Sequence, residues 1–524
     1  MSAPASPAHA PIEYPEKIDA AVLKIAGVVV LGAIMSILDI TVVNVALPTF
    51  QTTFATTPGQ QLAYSTVAWT VTAYTLALAT VIPLTGWAAD RFGTKRLYIL
   101  ALVLFTAGSA LCAAAAGIEQ LIAFRVIQGL GGGMLMPLGM TIMTKAAGPA
   151  RMGRLMAILG VPMLLGPILG PIVGGWLIEN ASWHWIFLIN VPIGIAAAVY
   201  AAFALAKDAP HPSESLDVVG VLLMSPGLAL FLFGISSIPQ EGTMDAPRVY
   251  VPMTIGAVLI AVFVWHSFRR THPLLELRLF RNRNLRVTII TMFLFAMAFF
   301  GGLLLIPTYF QQVRGLSTLQ AGLLVAPQGI GAMVTMPIAG GLADRFPVGR
   351  IVPFGLLTIT AGMCALTQIS STTPYGQIIA VLFVLGLGMG ATMMPIMTSA
   401  LRTLRSHEVA RGSTLLNIVQ QIASSIGVAI MSVLLTNALK DSPLALPAIA
   451  SWSNPAIGQK LGGQVLVDKG LEQAAQAFAG TFVVAAILMA CTLIPAWFLP
   501  RKHEESHLLD DVSDDTPESA LYLH

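Results

Sequence analysis

The residues most able to do chemistry are charges in places where charge is expensive. Residues 36–48 read SILDITVVNVALP, and Asp39 has no other charged residue within ten positions on either side. A carboxylate in such a run must be paired, face a cavity, or change its protonation. A second isolated charge, Arg125, lies in LIAFRVIQGLGGGMLMP at 121–137. A lone arginine at that depth costs several kcal/mol, so it requires a carboxylate, backbone carbonyls or cavity water. The apolar segments hold very few acids, and Asp39 is the clearest partner. Burial favours the neutral form of a carboxylic acid and a neighbouring arginine favours the charged form. A group held between the two can load and release a proton. A static structural pair is the alternative.

A second kind of chemistry is conformational. GWAADRFGTKR at 86–96 returns as GGLADRFPVGR at 340–350, a shift of 254 residues that aligns Asp90 with Asp344 and Arg91 with Arg345. Gly86 and Gly93 permit close approach and a tight reversal. Arg91, Lys95 and Arg96 suit an anionic membrane surface. Asp90 is placed to meet free amides at a facing helix start, best supplied by ARGST at 410–414. By internal symmetry Asp344 then faces the region of Arg151 and Arg154. These residues form an expected gating set. In GVPMLLGPILGPIVGGWL at 160–177, Gly166, Gly170 and Gly174 recur every four residues, interrupted by Pro167 and Pro171, which makes one smooth helix face at a bend.

Polar and aromatic residues within apolar segments are the expected substrate contacts: Asn44, Trp69, Tyr74, Gln328, Asn417 and Gln421, with Phe295 and Tyr309 beside them. Met134, Met136, Met140, Met393, Met394 and Met397 add pliant thioethers. Ordinary helix packing competes for each of these. Other chemistries find no support. The glycines at 129–133 follow no strand and precede no GK[ST], so they do not read as a nucleotide loop. The cysteines Cys112, Cys364 and Cys491 stand alone in apolar segments, and His503 and His507 lack a third ligand, so no metal site is expected. No cofactor beyond a proton gradient, no catalytic residue and no nucleic-acid partner is expected.

The elements that position these residues follow from composition. Of 524 residues 56% are hydrophobic and only 10% charged, and the mean hydropathy is +0.79. Apolar runs of roughly 20 residues, each able to cross a ~30 Å hydrocarbon layer, recur throughout. The chain is therefore an all-α membrane bundle. Fourteen spans are expected, including 118–141, 153–178 and 477–499. With the N-terminus inside, 22 of the 28 Lys and Arg fall on the cytoplasmic side, five fall outside, and Arg125 stays within a span. That bias predicts cytoplasmic N- and C-termini. The repeat divides the chain into an N-terminal segment (1–19), a six-helix half (20–206), two surplus helices with a linker (207–284), and a second six-helix half (285–500). An outer segment at 438–476, containing VDKGLEQAAQAF, is expected to be partly helical, and 501–524 is a polar, disordered tail. Two parallel six-span halves plus a central pair describe a major facilitator layout.

Over roughly residues 20–435 the chain resembles the 14-span drug:proton antiporter family (EmrB/QacA type) of the major facilitator superfamily. LDITVVNVALP is similar to that family's first-helix motif, GWAADRFGTKR to the superfamily loop, RVIQGLGGG to the fourth-helix motif, and GPILGPIVGGWL to the antiporter fifth-helix motif. LLNIVQQIASSIGVAI at 415–430 resembles the family's thirteenth span. Departures are Pro347 in the second loop copy, where the first has glycine, and the lack of an acidic residue in the later spans, which argues against dication transport. The resemblance implies a proton-driven exporter of hydrophobic or amphiphilic compounds in the cytoplasmic membrane, working by alternating access. It implies that Asp39 couples the proton and that Arg125 modulates it. A lipid or cell-envelope exporter of the same fold is the nearest alternative. Expected partners are a small hydrophobic or lipid-like substrate and membrane lipids, with a monomer or a periplasmic adaptor complex both compatible.

Overall fold

In a computed structural model of the protein the described residues are 18–55, 62–206, 215–241, 243–402, 404–405, 408–452, 455–461 and 463–501. The segment expected at 1–19 and the tail expected at 501–524, with His503 and His507, lie almost wholly outside them. Among the described residues the fold is all-helical. The first half comprises α1 (Ala20–Thr53), α2 (Tyr64–Phe92), α3 (Thr94–Ala113), α4 (Ile118–Asn180), a single turn α5 (Trp185–Leu188) and α6 (Asn190–Ala204). The surplus pair is α7 (Val218–Glu241) and α8 (Pro247–Arg269). The second half comprises α9 (Arg283–Gln312), α10 (Thr318–Arg345), α11 (Val348–Leu366), α12 (Tyr375–Gly390), α13 (Met393–Arg402), α14 (Val409–Lys440), α15 (Ala445–Ala450), α16 (Pro455–Lys460) and α17 (Gln464–Ala496).

Helix α4 carries 63 residues of unbroken helical backbone where two spans and a loop are expected. Its contacts show that it doubles back. Arg125 pairs with Asp39 of α1, and a Cβ at Gly139 would meet Val29 Cγ1 at 2.7 Å. This limb therefore runs antiparallel to α1. Further on, Cβ atoms at Gly166, Gly170 and Gly174 would meet Ile37, Thr41 and Val42 in that order, so the second limb runs parallel to α1. A straight helix would separate residues 125 and 170 by about 68 Å at 1.5 Å per residue, yet both lie against residues 39–41. The reversal sits near Arg151, which pairs with Asp19 at the start of α1 at 3.3 Å. Thirteen other stretches, counting the first limb of α4, are long and apolar enough to cross a membrane. The second limb makes the fourteenth span, and the architecture is the major facilitator fold with two surplus helices.

Two expected boundaries move. The twelfth span is broken at residues 391–392 between α12 and α13, and α17 begins at Gln464, within the expected outer segment. VDKGLEQAAQAF belongs to this long helix and docks on its neighbours. Gln473 Oε1 accepts from Leu444 N at 3.2 Å, and Glu472 accepts from Ser371 N at 2.9 Å and Ser371 Oγ at 2.6 Å.

The end of the bundle that carries loop 90–96 is called the basic end below. There the halves share one apolar core, with Leu155, Met156, Met336 and Met394 in the same cluster. At the opposite end Phe50, Trp183 and Phe187 pack with first-half residues only. The surplus pair lies along the seam between α2 and α14. Phe263, Leu274 and Leu275 pack with Ala79, Ile82 and Ile418 near the basic end. Farther along, Trp69 of α2 stacks on Phe233 of α7 at 5.6 Å, and Ile235 and Val249 meet Ala429 of α14.

The small-residue face of α4 has no slack. Thr41 Oγ1 donates to Gly166 O at 3.1 Å, and a Cβ at Gly170 would run into that hydroxyl. Gly170→Leu is expected to destabilise the protein by about 3 kcal/mol or more, the upper range for overpacking. Gly175→Leu, where a Cβ meets nothing within 4 Å, should leave the melting temperature in detergent nearly unchanged.

Candidate functional site

The site is built from six helices, α1 to α6, converging on Asp39, which is 1% exposed. Oδ2 pairs with Nη1 of the fully buried Arg125. Oδ1 accepts from Gln128 Nε2 at 2.7 Å and from Asn190 Nδ2 at 3.4 Å. The guanidinium is itself held. Nε donates to Thr70 O at 2.9 Å, Nη1 to Gln128 Oε1 at 2.8 Å, and the guanidinium carbon lies 4.2 Å from the Tyr74 ring centre and 5.8 Å from that of Phe187. Ser109 closes the network, accepting from Gln128 and Asn190 at 3.2 Å each and donating to Phe187 O at 2.9 Å. Two opposite charges thus share a buried site with the side chains of Gln128, Asn190 and Ser109. Nη2 of Arg125 has no hydrogen-bond partner among the described residues.

The arrangement gives Asp39 a donor on each oxygen. If Asp39 binds a proton, Arg125 loses its counter-ion and must find another acceptor or a rearranged site. Protonation and packing are therefore coupled here, as buried networks require.

At the basic end two latches cross between the halves. Asp90 of α2 accepts from Arg411 Nε of α14 at 3.3 Å. Gly86 lies against the same helix start, where a Cβ would come 3.2 Å from Arg411 Cα. Asp344 of α10 accepts from Gly153 N at 2.7 Å, Arg154 N at 3.3 Å and Arg154 Nε at 3.1 Å, and pairs with Arg402 at 3.5 Å. Gly93 holds φ +88° at the α2–α3 turn, a conformation that favours glycine. Lys95 donates to Ala202 O at 2.7 Å and Leu205 O at 2.5 Å at the end of α6. Arg91, Arg96 and Arg345 are exposed.

The expected substrate residues scatter. Tyr74 is fully buried under Arg125, with its hydroxyl 3.3 Å from Ser36 Oγ, so it belongs to the charge network. Trp69 lies on the seam with α7, 36% exposed. Asn44 is exposed in the outer part of α1. Gln328 is 5% exposed with Oε1 lacking a hydrogen-bond partner. Asn417 donates to Ser413 O at 2.8 Å and contacts Met140 Sδ at 3.1 Å, and Gln421 is half-buried. A narrow cleft with free space of only about 10 Å³, room for a single water, lies in the second half between α9, α13 and α14. Met292, Phe295, Phe300, Met393, Met397 and Gln420 line it, and Phe295 stacks on Phe299 at 5.5 Å. Of the residues expected from the sequence, Phe295, Met393 and Met397 meet there. Gln420 and the pair's companions Gln128, Ser109 and Asn190 were missed. Gln128 stands three residues from Arg125, hence on the same helix face, and the other two are polar residues in apolar spans.

Comparison with known proteins places these features in context. The family model described as Major Facilitator Superfamily matches residues 29–428. The chain is 46% identical over 507 residues to the multidrug resistance protein B homolog of Mycobacterium tuberculosis strain H37Rv, covering 94% of this chain and 93% of that protein. It is 30% identical over 452 residues to a putative multidrug resistance protein MdtD of Serratia proteamaculans, covering 82% and 93%. Among solved structures, the proton:xylose symporter XylE aligns with a TM-score of 0.55 at 16% identity, covering 93% of this chain and 98% of that one. The human organic anion transporter MFSD10 aligns with a TM-score of 0.57 at 18% identity, covering 90% and 100%.

Proposed function

Since the chain belongs to the major facilitator superfamily, a family of membrane transporters, we propose that it is a proton-coupled antiporter that exports hydrophobic or amphiphilic compounds across the cytoplasmic membrane. The names of the relatives support the multidrug reading. The observation that carries the proton role is the burial of Asp39. Among the described residues the acidic side chains nearly inaccessible to solvent are those of Asp39, Asp217 and Asp344, but Asp217 precedes α7 and Asp344 sits in the last turn of α10 at the latch. Asp39 is thus a titratable carboxylate inside a span, in direct contact with a cation that can replace or lose it.

The basic end is cytoplasmic by its charge. Both latches lie there, so the arrangement is closed to the cytoplasm and faces outward. In this state Asp39 is loaded from the acidic side. Binding of a proton frees Arg125 from its counter-ion, loosens the network joining α1, α3, α4 and α6, and favours separation of the latches. Release to the cytoplasm restores the pair. The substrate enters at the methionine- and phenylalanine-lined cleft, which its flexible thioethers must widen to admit it, and the single amide there, Gln420, orients a mostly apolar molecule.

The test is accumulation in sealed proteoliposomes with an imposed pH gradient, using a lipophilic cationic dye and, separately, a fluorescent phospholipid. Gradient-dependent movement of the dye supports the reading. Movement of the lipid alone makes the protein a lipid exporter, and movement of neither overturns the proposal. Met397→Trp fills the pocket and is expected to raise the half-saturating dye concentration about ten-fold, equivalent to ~1.4 kcal/mol of lost binding. An unchanged value would remove the pocket from the transport path.

A further inference from the structure

The two surplus helices are tied to one of the two latches. Asp217, ahead of α7, accepts from Gly220 N at 2.9 Å and from Leu274 N at 3.3 Å, and lies 2.9 Å from His266 Nε2 of α8. Burial works to raise the pKa of Asp217, but the hydrogen bonds from His266, Gly220 and Leu274 outweigh it and hold the carboxyl below its ordinary range. Ser267 Oγ donates to Leu275 O at 2.9 Å. Residues 274 and 275 are therefore fixed to the inner ends of α7 and α8. The next residue, Glu276, reaches Arg411, with Oε2 at 3.6 Å from Nη1. Arg411 is the same arginine whose Nε pairs with Asp90. The second latch is built on Asp344. There two backbone amides and two arginines converge on one carboxylate.

We propose that Glu276 is a positioning residue that holds Arg411 when the Asp90 latch opens. The inference rests on the alternating-access reading above. Its physical basis is the side of the seam on which each acid stands. Asp90 belongs to the first half and must leave Arg411 when the halves part at the basic end. The residues before Glu276 pack with both α2 and α14, but Glu276 itself leads within a few residues into α9, which packs on α14 in the second half; in the proposal it stays with Arg411 when the seam opens. Arg411 is about one-tenth exposed, and losing the Asp90 carboxylate there penalises the open form. Glu276 removes that penalty. The two acids on one arginine thus act in opposite senses: Asp90 favours the closed basic end, and Glu276 makes opening easier.

The sign is the test. Spin labels on Ala206→Cys and Arg350→Cys, both exposed at the basic end of opposite halves, report its opening by pulsed electron resonance in nanodiscs. Asp90→Asn is expected to raise the long-distance fraction. Glu276→Gln is expected to lower the long-to-short ratio about two- to five-fold, the range for a partly exposed ion pair. The double variant should return toward wild type. A linker that merely braces the bundle would loosen the latch when cut, so Glu276→Gln moving in the same sense as Asp90→Asn, or not at all, overturns the inference. A wild-type protein holding one distance at every pH overturns the alternating-access reading and the inference with it.

Discussion

Asp39→Asn is expected to abolish gradient-driven accumulation while leaving a folded protein that still binds its ligand. An imposed gradient of about 1.7 pH units is worth ~2.3 kcal/mol per proton, which supports roughly 50-fold accumulation per coupled proton. With asparagine at position 39 the ratio should fall to about one. The amide preserves the size of the side chain and keeps an oxygen for Arg125 or Gln128, so the helices around it remain packed. Downhill movement of the dye can persist, because it needs the pocket and the latches but no titrating group. Accumulation that survives the substitution would reduce Asp39 and Arg125 to a static pair.

The second large effect is on stability. Arg125→Ala leaves the buried Asp39 with only Gln128 and Asn190 as donors, and it opens a hole beside Tyr74 and Phe187. Breaking a buried pair from one side costs ~3–5 kcal/mol, and uptake of a proton by Asp39 limits the loss at low pH. The melting temperature in detergent should therefore drop sharply at neutral pH and recover in part on acidification. The double variant Asp39→Asn with Arg125→Met removes both charges and restores apolar volume. It should regain most of the stability and none of the coupled transport. A single Arg125→Ala variant as stable as wild type at neutral pH would show that the pair is not held by mutual neutralisation.

The meeting of Asp39 with Arg125 was legible because physics leaves two isolated charges in apolar spans few partners. The Asp344–Arg154 contact was legible because a repeated loop implies a repeated environment. Side-chain facing was harder to read. A helix turns 100° per residue, so Gln420 and Gln421 look alike in sequence while only the first lines the pocket. Tyr74 and Trp69 are separated by five residues and face opposite neighbours, the charge network and the surplus helix. Hydropathy also records contact with lipid and says little about helicity. That is why α17 begins at Gln464, before its apolar run, and continues through the polar but helix-favouring stretch around Leu471–Ala475, and why α4 keeps its helical hydrogen bonding through a polar reversal. Glu276 carried no signal at all, since an acid in a charged linker looks like any solvated residue.

The placement of α7 and α8 has a kinetic meaning for molecules that arrive dissolved in the bilayer. Such a molecule diffuses in two dimensions and reaches a transporter through its perimeter. Of the two seams between the halves, the one between α2 and α14 is occupied along its length by the surplus pair. The other, between the second limb of α4 and α10, has no such cover among the described helices. For the lipophilic substrate proposed above, lateral capture would then be one-sided, and the orientation of the protein relative to the flux of membrane-borne ligand would become a factor in its rate.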